Sequence, residues 1–420
     1  PCNGGIRRTV EFVRVDSVTN TVYVQLSTEC RFDPDFKKDA WHFGAGYLGP
    51  IKPFPQDGQT RPVNEYRQSS KGLVFTHPNG NAGSFAHFRT RINDTTVFPW
   101  WHSTIGHYRE YGDRLWYTKD GYRMCLGTLD VRPGRSASYT DQFTFFDGNF
   151  HAFFDDVFAK DPDFASELKA IPPPPAWLQD IGAVISQHYE DNIRFFTEML
   201  DDCEFLGTSC PCGDWADYDL NDGGIAGYDG GYITRDELKE FMDRMKGLSP
   251  RFHPSIYHIT ISAGARTAVR RRHPEWFRTY DREGTLDSLF PGQADNFQSM
   301  YVFPELRTWL VDTLMDFERK MGGDTCYVDE YQMTNTIDWE RDRVTTDADA
   351  AKFMRKFKRR CHKEGILAFA NGSGNPYADL NFYENPHEIE PKRWRDWAGI
   401  GWGQSMMNRV FGSMRRSSPL

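Results

Sequence analysis

The segment that decides the fold reads Thr325-Cys-Tyr-Val-Asp-Glu-Tyr331, a short apolar run that ends at two acids, Asp329 and Glu330. Over the preceding residues 309–321, apolar side chains recur at helical spacing and glycine follows, which predicts a helix that ends at a turn. A helix, a turn, a buried strand and acids at its carboxyl end form the pattern by which an α/β barrel presents a reactive carboxylate. Such an acid also suits a helix cap or an ion pair with a nearby arginine, and the sequence leaves both readings open.

A second acid of the same kind, Glu384, closes the segment Asp379-Leu-Asn-Phe-Tyr-Glu-Asn385. From Trp177 onward, strand-like and helix-like segments alternate, which predicts a parallel sheet covered by helices. Residues 386–420 contain no clear seventh or eighth strand, so the predicted (β/α)8-type barrel is either incomplete or closed by strands that the pattern hides. The predicted strands are 181–187, 204–208, 256–262, 325–331, 366–370 and 380–384, and the predicted helices are 192–200, 234–246, 304–321 and 348–364.

The first part of the chain has a different pattern, with short alternating strands separated by Gly, Pro, Asn and Asp. This pattern predicts an antiparallel β-sandwich. A turn at 17–20 between alternating segments 7–15 and 21–26 predicts a hairpin. The run Pro172–Pro175 predicts a stiff linker. The predicted domains are therefore a β-sandwich at 1–150, a linking helix and proline-rich linker at 151–176, and a barrel at 177–420.

The composition limits the class of ligand. The 420 residues carry a net charge of −9 and no long basic run, so we expect no nucleic-acid partner. No apolar stretch is long enough for a membrane-spanning helix. Aromatic residues make up 15% of the chain, with 12 tryptophans, and their flat faces suit stacking on sugar rings. A carbohydrate is the ligand class that this composition favours.

The cysteines and glycosylation motifs favour a secreted protein. Eight cysteines are compatible with disulfides, and the predicted hairpin brings Cys2 near Cys30, so we expect a bridge between them. Two glycosylation sequons begin at Asn93 and Asn371. The spacing Cys210-Pro-Cys212 does not fit a zinc site, and the sequence predicts no metal and no cofactor.

Two carboxyl groups at strand ends suit the hydrolysis of a glycosidic bond. One carboxylate attacks or activates water, and one carboxylic acid protonates the leaving oxygen. Asp329 and Glu384 are the candidate pair, and Glu330 is the alternative to Asp329, because adjacent strand residues face opposite sides. Further candidates for sugar binding are Asp214, Trp215 and Asp217 in a long loop, which could instead be a polar surface insertion, and His258, Tyr331 and Asn371 near strand ends.

Several segments together resemble the α-galactosidase-like retaining glycoside hydrolases. The matching elements are His273-Pro-Glu-Trp-Phe277 after the third strand, a helix that begins Pro304-Glu-Leu-Arg, and an Asp at the end of the fourth strand. A proline- and tryptophan-rich entrance, Pro172 to Trp177, also looks like that of the family, and the resemblance covers about residues 135–385. It implies an N-terminal β-sandwich, a barrel and Asp329 as the nucleophile.

The sequence departs from that family at two places. The family usually has Lys two residues before the nucleophile, where this chain has Tyr327. Its acid/base is commonly an Asp on the sixth strand, where this chain offers Glu384; the endo-α-N-acetylgalactosaminidase-like group, with an Asp nucleophile and a Glu acid, is a second parallel. The resemblance implies hydrolysis of an α-linked glycoside with retention. The alternative is an inactive module that binds glycans or neighbouring subunits in an extracellular assembly.

Overall fold

The structure is a computed structural model, and parts of the chain are described. The described residues are 5–13, 22–31, 41–44, 47–50, 61–62, 69–70, 73–76, 84–97, 102–103, 115–117, 121–148, 160–185, 190–200, 202–209, 224–226, 232–259, 262–264, 267–277, 297–299, 304–329, 336–338, 343–371 and 379–382. Among them, no helix is both long and apolar enough to cross a membrane.

The N-terminal part consists of antiparallel strands. Seven strands form one sheet, with the order β1-β13-β8-β7-β3-β4 and β9 paired to β8, and four form a second sheet with the order β2-β12-β11-β5. The strands are β1 (Gly5–Val13), β2 (Val22–Arg31), β3 (Trp41–Gly44), β4 (Tyr47–Pro50), β5 (Arg61–Pro62), β6 (Ser69–Ser70), β7 (Leu73–Thr76), β8 (Ser84–Ile92), β9 (Thr95–Val97), β10 (His102–Ser103), β11 (Leu115–Tyr117), β12 (Gly121–Val131) and β13 (Ser136–Phe146).

The hairpin expected between the first two strands is wrong. All nine residues of β1 pair with β13, from Gly5 opposite Thr144 to Val13 opposite Ser136, and β2 pairs with β12 in the other sheet. The long strands β12 and β13 each offer 11 residues for pairing, which outweighs the local turn signal at 17–20.

The second half of the chain alternates strands with helices. The strands are β14 (Ile181–Ile185), β15 (Glu204–Ser209), β16 (Gly224–Ala226), β17 (Tyr232–Thr234), β18 (Phe252–Ile259), β19 (Ser262–Gly264), β20 (Phe297–Ser299), β21 (Thr325–Asp329), β22 (Thr336–Asp338), β23 (Arg343–Thr345), β24 (Leu367–Asn371) and β25 (Leu380–Phe382). The helices are α1 (Pro162–Lys169), α2 (Glu190–Met199), α3 (Arg235–Leu248), α4 (Ala268–Arg272), α5 (Pro304–Met321) and α6 (Asp347–Glu364), with 3-10 helices at Ala176–Asp180 and Pro274–Trp276.

The six strands that the sequence predicted form one parallel sheet. The strand order in the sheet, β14-β15-β18-β21-β24-β25, is also the order of the strands along the chain. Each strand therefore pairs in parallel with the next strand of the sheet along the chain. This prediction is confirmed, and the arrangement corresponds to part of a barrel. The four predicted helices are also present, as α2, α3, α5 and α6.

The two faces of the parallel sheet pack against different partners. On the face that we call the helix face, Phe205 and Phe252 pack with Ile193 of α2 and Met245 of α3. On the opposite face, which we call the inner face, Leu206, Tyr327, Leu367 and Phe369 form a second cluster with the partly buried Trp177, Leu178 and Ile181. Each fully buried side chain of this size contributes about 1.5–3 kcal/mol to stability.

The antiparallel part contacts α6, the last of the described helices. The guanidinium of Arg355 on α6 donates to the backbone oxygen of Thr96 in β9. Lys352, one turn earlier on α6, lies 3.8 Å from a carboxylate oxygen of Asp94 in the β8–β9 turn. The described residues thus connect the N-terminal sheet to the outside of the parallel sheet through α6.

Candidate active site at the carboxyl edge of the parallel sheet

The backbone places Asp329 where the resemblance predicts a nucleophile. Asp329 is the last residue of β21, the fourth strand of the parallel sheet, and it lies in register with Ile259 of β18. Tyr327 belongs to the inner face, and residues two apart on a strand share a face. Position 329 therefore belongs to the inner face, at the edge of the sheet where the carboxyl ends of all six strands lie.

Asn371 occupies the equivalent position on the next strand. It is the last residue of β24, and Val328 pairs with Ala370, so positions 329 and 371 lie side by side. Neighbouring strands are about 4.8 Å apart, which brings these two candidates to one site.

Six of the other predicted site residues lie outside the described residues. In the sequence, Glu384 comes two positions after Phe382, the last residue of β25, which is the sixth strand of the sheet. In the sequence, the segment with the candidate sugar ligands follows Ser209, the last residue of β15. The remaining residues of this group are Asp214, Trp215, Asp217, Glu330 and Tyr331.

On the inner face, the residues next to position 329 on the amino side are aromatic. Tyr327 is 1% exposed and stacks on Phe369 with ring centroids 4.5 Å apart. The family position that usually holds Lys is therefore part of an apolar floor in this protein. A tyrosine at this position brings no fixed positive charge to the site.

His258 was predicted to lie near substrate, and the structure corrects this expectation. Its side chain lies on the helix face, 2% exposed, with Nε2 2.7 Å from Oε1 of Glu318 on α5 and the ring edge-on to Phe317. Burial lowers the pKa of His258 to about 3, so the imidazole is neutral. The reason for the error is the alternation of strand residues, since His258 lies one position before the inner-face position 259.

Glu318 is the centre of a buried polar cluster that the sequence did not indicate as a site. Its side chain is fully buried, and burial raises its pKa well above the usual value. One of its carboxyl oxygens lies within 4.8 Å of the sulfur of Cys326 in β21, and the Cys326 thiol interacts with the thiol of Cys361 on α6. Burial also raises the pKa values of both thiols. We call His258, Glu318, Cys326 and Cys361 the buried cluster.

A signal for this cluster exists in the sequence. Leu310, Leu314 and Met321 of α5 are buried, and Glu318 lies on the same helical stripe, where the periodicity requires an apolar residue. A Cβ on Gly323 would overlap the Glu318 carboxylate, so the glycine after α5 leaves room for the acid. An acid in an apolar stripe, followed by glycine, is therefore the pattern that reveals the cluster.

At the opposite edge of the sheet, a tryptophan of the proline-rich entrance closes the inner face. Trp177 stacks on His253 with ring centroids 3.7 Å apart and an interplanar angle of 6°. The His253 ring nitrogens lie 3.1 Å from Glu204 and 3.2 Å from Asp324. Burial acts to raise the pKa of Asp324, but hydrogen bonds from His253 and Lys246 outweigh it, and the pKa is lowered. This tryptophan has a structural role, away from the candidate active site.

A second buried ionic cluster fixes the start of β25, the strand that precedes Glu384. Asp379 accepts hydrogen bonds through Oδ2 from His362 Nε2 at 2.7 Å and from the backbone nitrogen of Ala368 at 3.0 Å. Its Oδ1 lies 3.1 Å from Lys358 Nζ, and these Asp and Lys side chains are 0% and 3% exposed. The cluster joins α6, β24 and β25, so it positions the sixth strand.

The predicted modification sites have mixed outcomes. Asn93 is exposed in the β8–β9 turn with a φ of 52°, and its side-chain oxygen accepts from the Ser138 nitrogen at 2.9 Å. Cys30 lies in β2 opposite Tyr122 of β12, whereas Cys2 lies outside the described residues. Glycosylation and the disulfide stay predictions, and the disulfide loses the hairpin that motivated it. Among the described cysteines, Cys203, Cys326 and Cys361 are free.

Comparison with solved structures identifies the fold. The α-galactosidase of Thermus thermophilus, in complex with stachyose, matches with a TM-score of 0.50 and 11% identity over 97% of this chain and 86% of that chain. The GH36 α-galactosidase AgaA of Geobacillus stearothermophilus matches with a TM-score of 0.51 and 11% identity over 95% of this chain and 54% of that chain. This chain therefore spans about half the length of the Geobacillus enzyme. No protein-family model and no curated protein sequence matches. The likeness in structure confirms the resemblance seen in the sequence: the chain has the fold of an α-galactosidase-like glycoside hydrolase.

Proposed function

We propose that the protein hydrolyses an α-linked glycoside of an oligo- or polysaccharide with retention of configuration. The observation that carries the proposal is the position of Asp329, which ends the fourth strand of a parallel sheet in an α-galactosidase-like fold. Carboxyl ends of barrel strands are where such folds carry their catalytic residues. Asp329 is the nucleophile, and Glu384 is the general acid and base.

The strand positions suit this division of roles. Asp329 attacks the anomeric carbon while Glu384 protonates the leaving oxygen, and Glu384 then takes a proton from the water that releases the sugar. Retention requires the two carboxyl groups to lie about 5–5.5 Å apart. The fourth and sixth strands of a sheet are separated by about 10 Å, and two carboxyl side chains that converge from such strands span the remaining distance.

The substrate proposal follows from the same edge of the sheet. The solved relatives are described in complex with stachyose and with 1-deoxygalactonojirimycin, a sugar-like ligand, so an α-galactoside is the first substrate to test. Asn371, beside Asp329, and Tyr331, just after it, are proposed to contact sugar hydroxyls. Asp214, Trp215 and Asp217 are proposed to contribute a stacking ring and two carboxylates from the loop after β15.

The finer architecture and the location are part of the same proposal. We propose that the two antiparallel sheets form a β-sandwich, since β12 and β13 pass directly from one sheet to the other through residues 132–135. The residues after Phe382 would complete the (β/α)8 barrel. Secretion, glycosylation at Asn93 and Asn371, and the Cys2–Cys30 bridge stay with this proposal.

A second candidate function is supported by Tyr327. In place of the family lysine, this protein has a tyrosine that is 1% exposed and stacked on Phe369. The loss of a cation beside the nucleophile would weaken catalysis more than it weakens the binding of a neutral sugar. The alternative is therefore an inactive glycosidase-like module that binds glycans or neighbouring subunits.

The decisive experiment compares two neighbouring acids. Hydrolysis of a panel of aryl α-glycosides, raffinose and stachyose is measured for the wild type, for Asp329→Asn and for the matched control Glu330→Gln. We expect Asp329→Asn to lose at least about 10³-fold in kcat while sugar binding persists, and Glu330→Gln to retain most activity. Proton NMR of the first anomer released tests retention.

Three results separate the readings. Activity retained in Asp329→Asn but lost in Glu330→Gln would transfer the nucleophile to Glu330. An inverted first product would overturn the retaining mechanism but leave the hydrolase assignment intact. Sugar binding by the wild type without any hydrolysis would establish the inactive module and refute the enzyme.

A further inference from the structure

The buried cluster lies on the helix face, where it takes no part in the proposed glycoside chemistry. It joins two strands of the parallel sheet, β18 and β21, to two helices, α5 and α6. We propose that His258, Glu318, Cys326 and Cys361 bind a structural zinc ion between the sheet and these helices. The sequence predicted no metal, because the four residues are scattered over about a hundred positions and show no zinc-type spacing.

Three of the four donor atoms already lie close together. The ligand atoms of His258, Glu318 and Cys326 all lie within 4.8 Å of one another, and all three residues are buried. The fourth donor is the fully buried Cys361 thiol, which interacts with the Cys326 thiol but lies outside this group of three, so its side chain would turn toward the ion. Zinc bonds of about 2.0–2.3 Å in tetrahedral geometry place ligand atoms about 3.3–3.8 Å apart, which is within this range.

The type of donor selects the metal. Two thiols and an imidazole favour zinc over magnesium and calcium, which require oxygen ligands. Zinc would displace the protons of the two thiols, which pass to solvent. The His258–Glu318 contact of 2.7 Å would open by about half an ångström to reach the separation of two tetrahedral ligands.

A second observation points to a ligand at this place. Within the described part of the chain, Oε2 of Glu318 is buried and has no hydrogen-bond partner. An unsatisfied buried carboxyl oxygen costs about 1–3 kcal/mol. Because α5 is otherwise packed with apolar residues here, a leucine or methionine would avoid this cost, and the acid is explained if its oxygen has a cation to bind.

The test begins with the whole protein. The full chain is expressed with zinc in the medium, and its metal content is measured by mass spectrometry after gel filtration. We expect about one zinc per chain. Because the cluster is fully buried, the ion is expected to enter during folding, so chain unfolded in a chelator and refolded with zinc should melt several degrees above chain refolded without it. Refolding with cobalt should give the visible bands of tetrahedral cobalt and a near-ultraviolet thiolate-to-cobalt band.

Matched variants locate the site. Cys326→Ser and Glu318→Gln should reduce bound zinc to below about 0.1 per chain, whereas Cys203→Ser, at a partly exposed cysteine outside the cluster, should leave it unchanged. The proposal is overturned if folded wild-type chain holds no zinc and melts identically after refolding with or without it. A Cys326–Cys361 disulfide in the purified protein, or zinc that survives both cluster substitutions, would overturn it as well. The wild-type measurement decides the matter even if a variant fails to fold.

Discussion

The buried pair of Asp379 and Lys358 gives the sharpest test of what holds the sixth strand in place. Asp379 uses both carboxylate oxygens: Oδ2 accepts from His362 at 2.7 Å and from the Ala368 nitrogen at 3.0 Å, and Oδ1 lies 3.1 Å from Lys358 Nζ. Asp379→Asn keeps one acceptor oxygen. If that oxygen takes over the two bonds of Oδ2, the new amide group turns two donor hydrogens toward the ammonium of Lys358. We expect a loss of about 3–5 kcal/mol, the usual effect of breaking a buried ion pair from one side.

A double-mutant cycle separates the pair from its surroundings. Lys358→Met removes the cation and leaves Asp379 with its two Oδ2 bonds, so we expect a smaller loss than for Asp379→Asn. The double variant should lose less stability than the sum of the two single losses, by a coupling energy of at least about 1.5 kcal/mol. Urea unfolding followed by circular dichroism measures all four proteins. A coupling energy below about 0.5 kcal/mol would show that the two side chains act independently and would refute this reasoning.

Two further predictions concern Asp324 and Gly323. The pKa of Asp324 is lowered in the folded state, so its ionised form stabilises the fold above the unfolded value of 3.8, and this stability is lost as the pH falls through the lower folded value. Asp324→Asn should therefore be less stable than the wild type at pH 7, and the gap should close below pH 3.8 in unfolding curves measured across pH; a constant gap would contradict this. Gly323→Ala should cost about 1–3 kcal/mol in urea unfolding because its Cβ would overlap Glu318, whereas Gly247→Ala in α3, with open space around it, should be neutral or stabilising; equal effects would refute the packing argument.

The sequence revealed most of the parallel sheet and less of the rest. The strands β14, β15, β18, β21, β24 and β25 are short apolar runs bounded by strong helix patterns, so periodicity alone identifies them. The partner of β1 is more than 120 residues away, and no local signal competes with the turn pattern at 17–20. Pairing between distant strands depends on packing that a single sequence does not display.

The candidate site shows the same limit at the scale of single residues. Asp329 and Asn371 lie at strand ends as expected, because the abrupt change from apolar to polar residues marks the end of a strand. His258 was misplaced by one position of strand alternation. The role of Glu318 depends on its contacts with two other elements, β18 and β21, and only the break in the apolar stripe of α5 signals it.

The stacking of Trp177 on His253 gives the proline run before it a structural role. A proline run between two folded units is usually regarded as a spacer that keeps them apart. Here the run is tied at both ends, since the carbonyl oxygen of Pro172 lies 2.5 Å from His362 Nδ1 and Trp177 covers the amino edge of the sheet. A fragment cut just after Trp177 would uncover the apolar inner face and remove a partner from α6. The proline segment therefore acts as the base of the parallel sheet, and cleavage there should cause the remainder to aggregate.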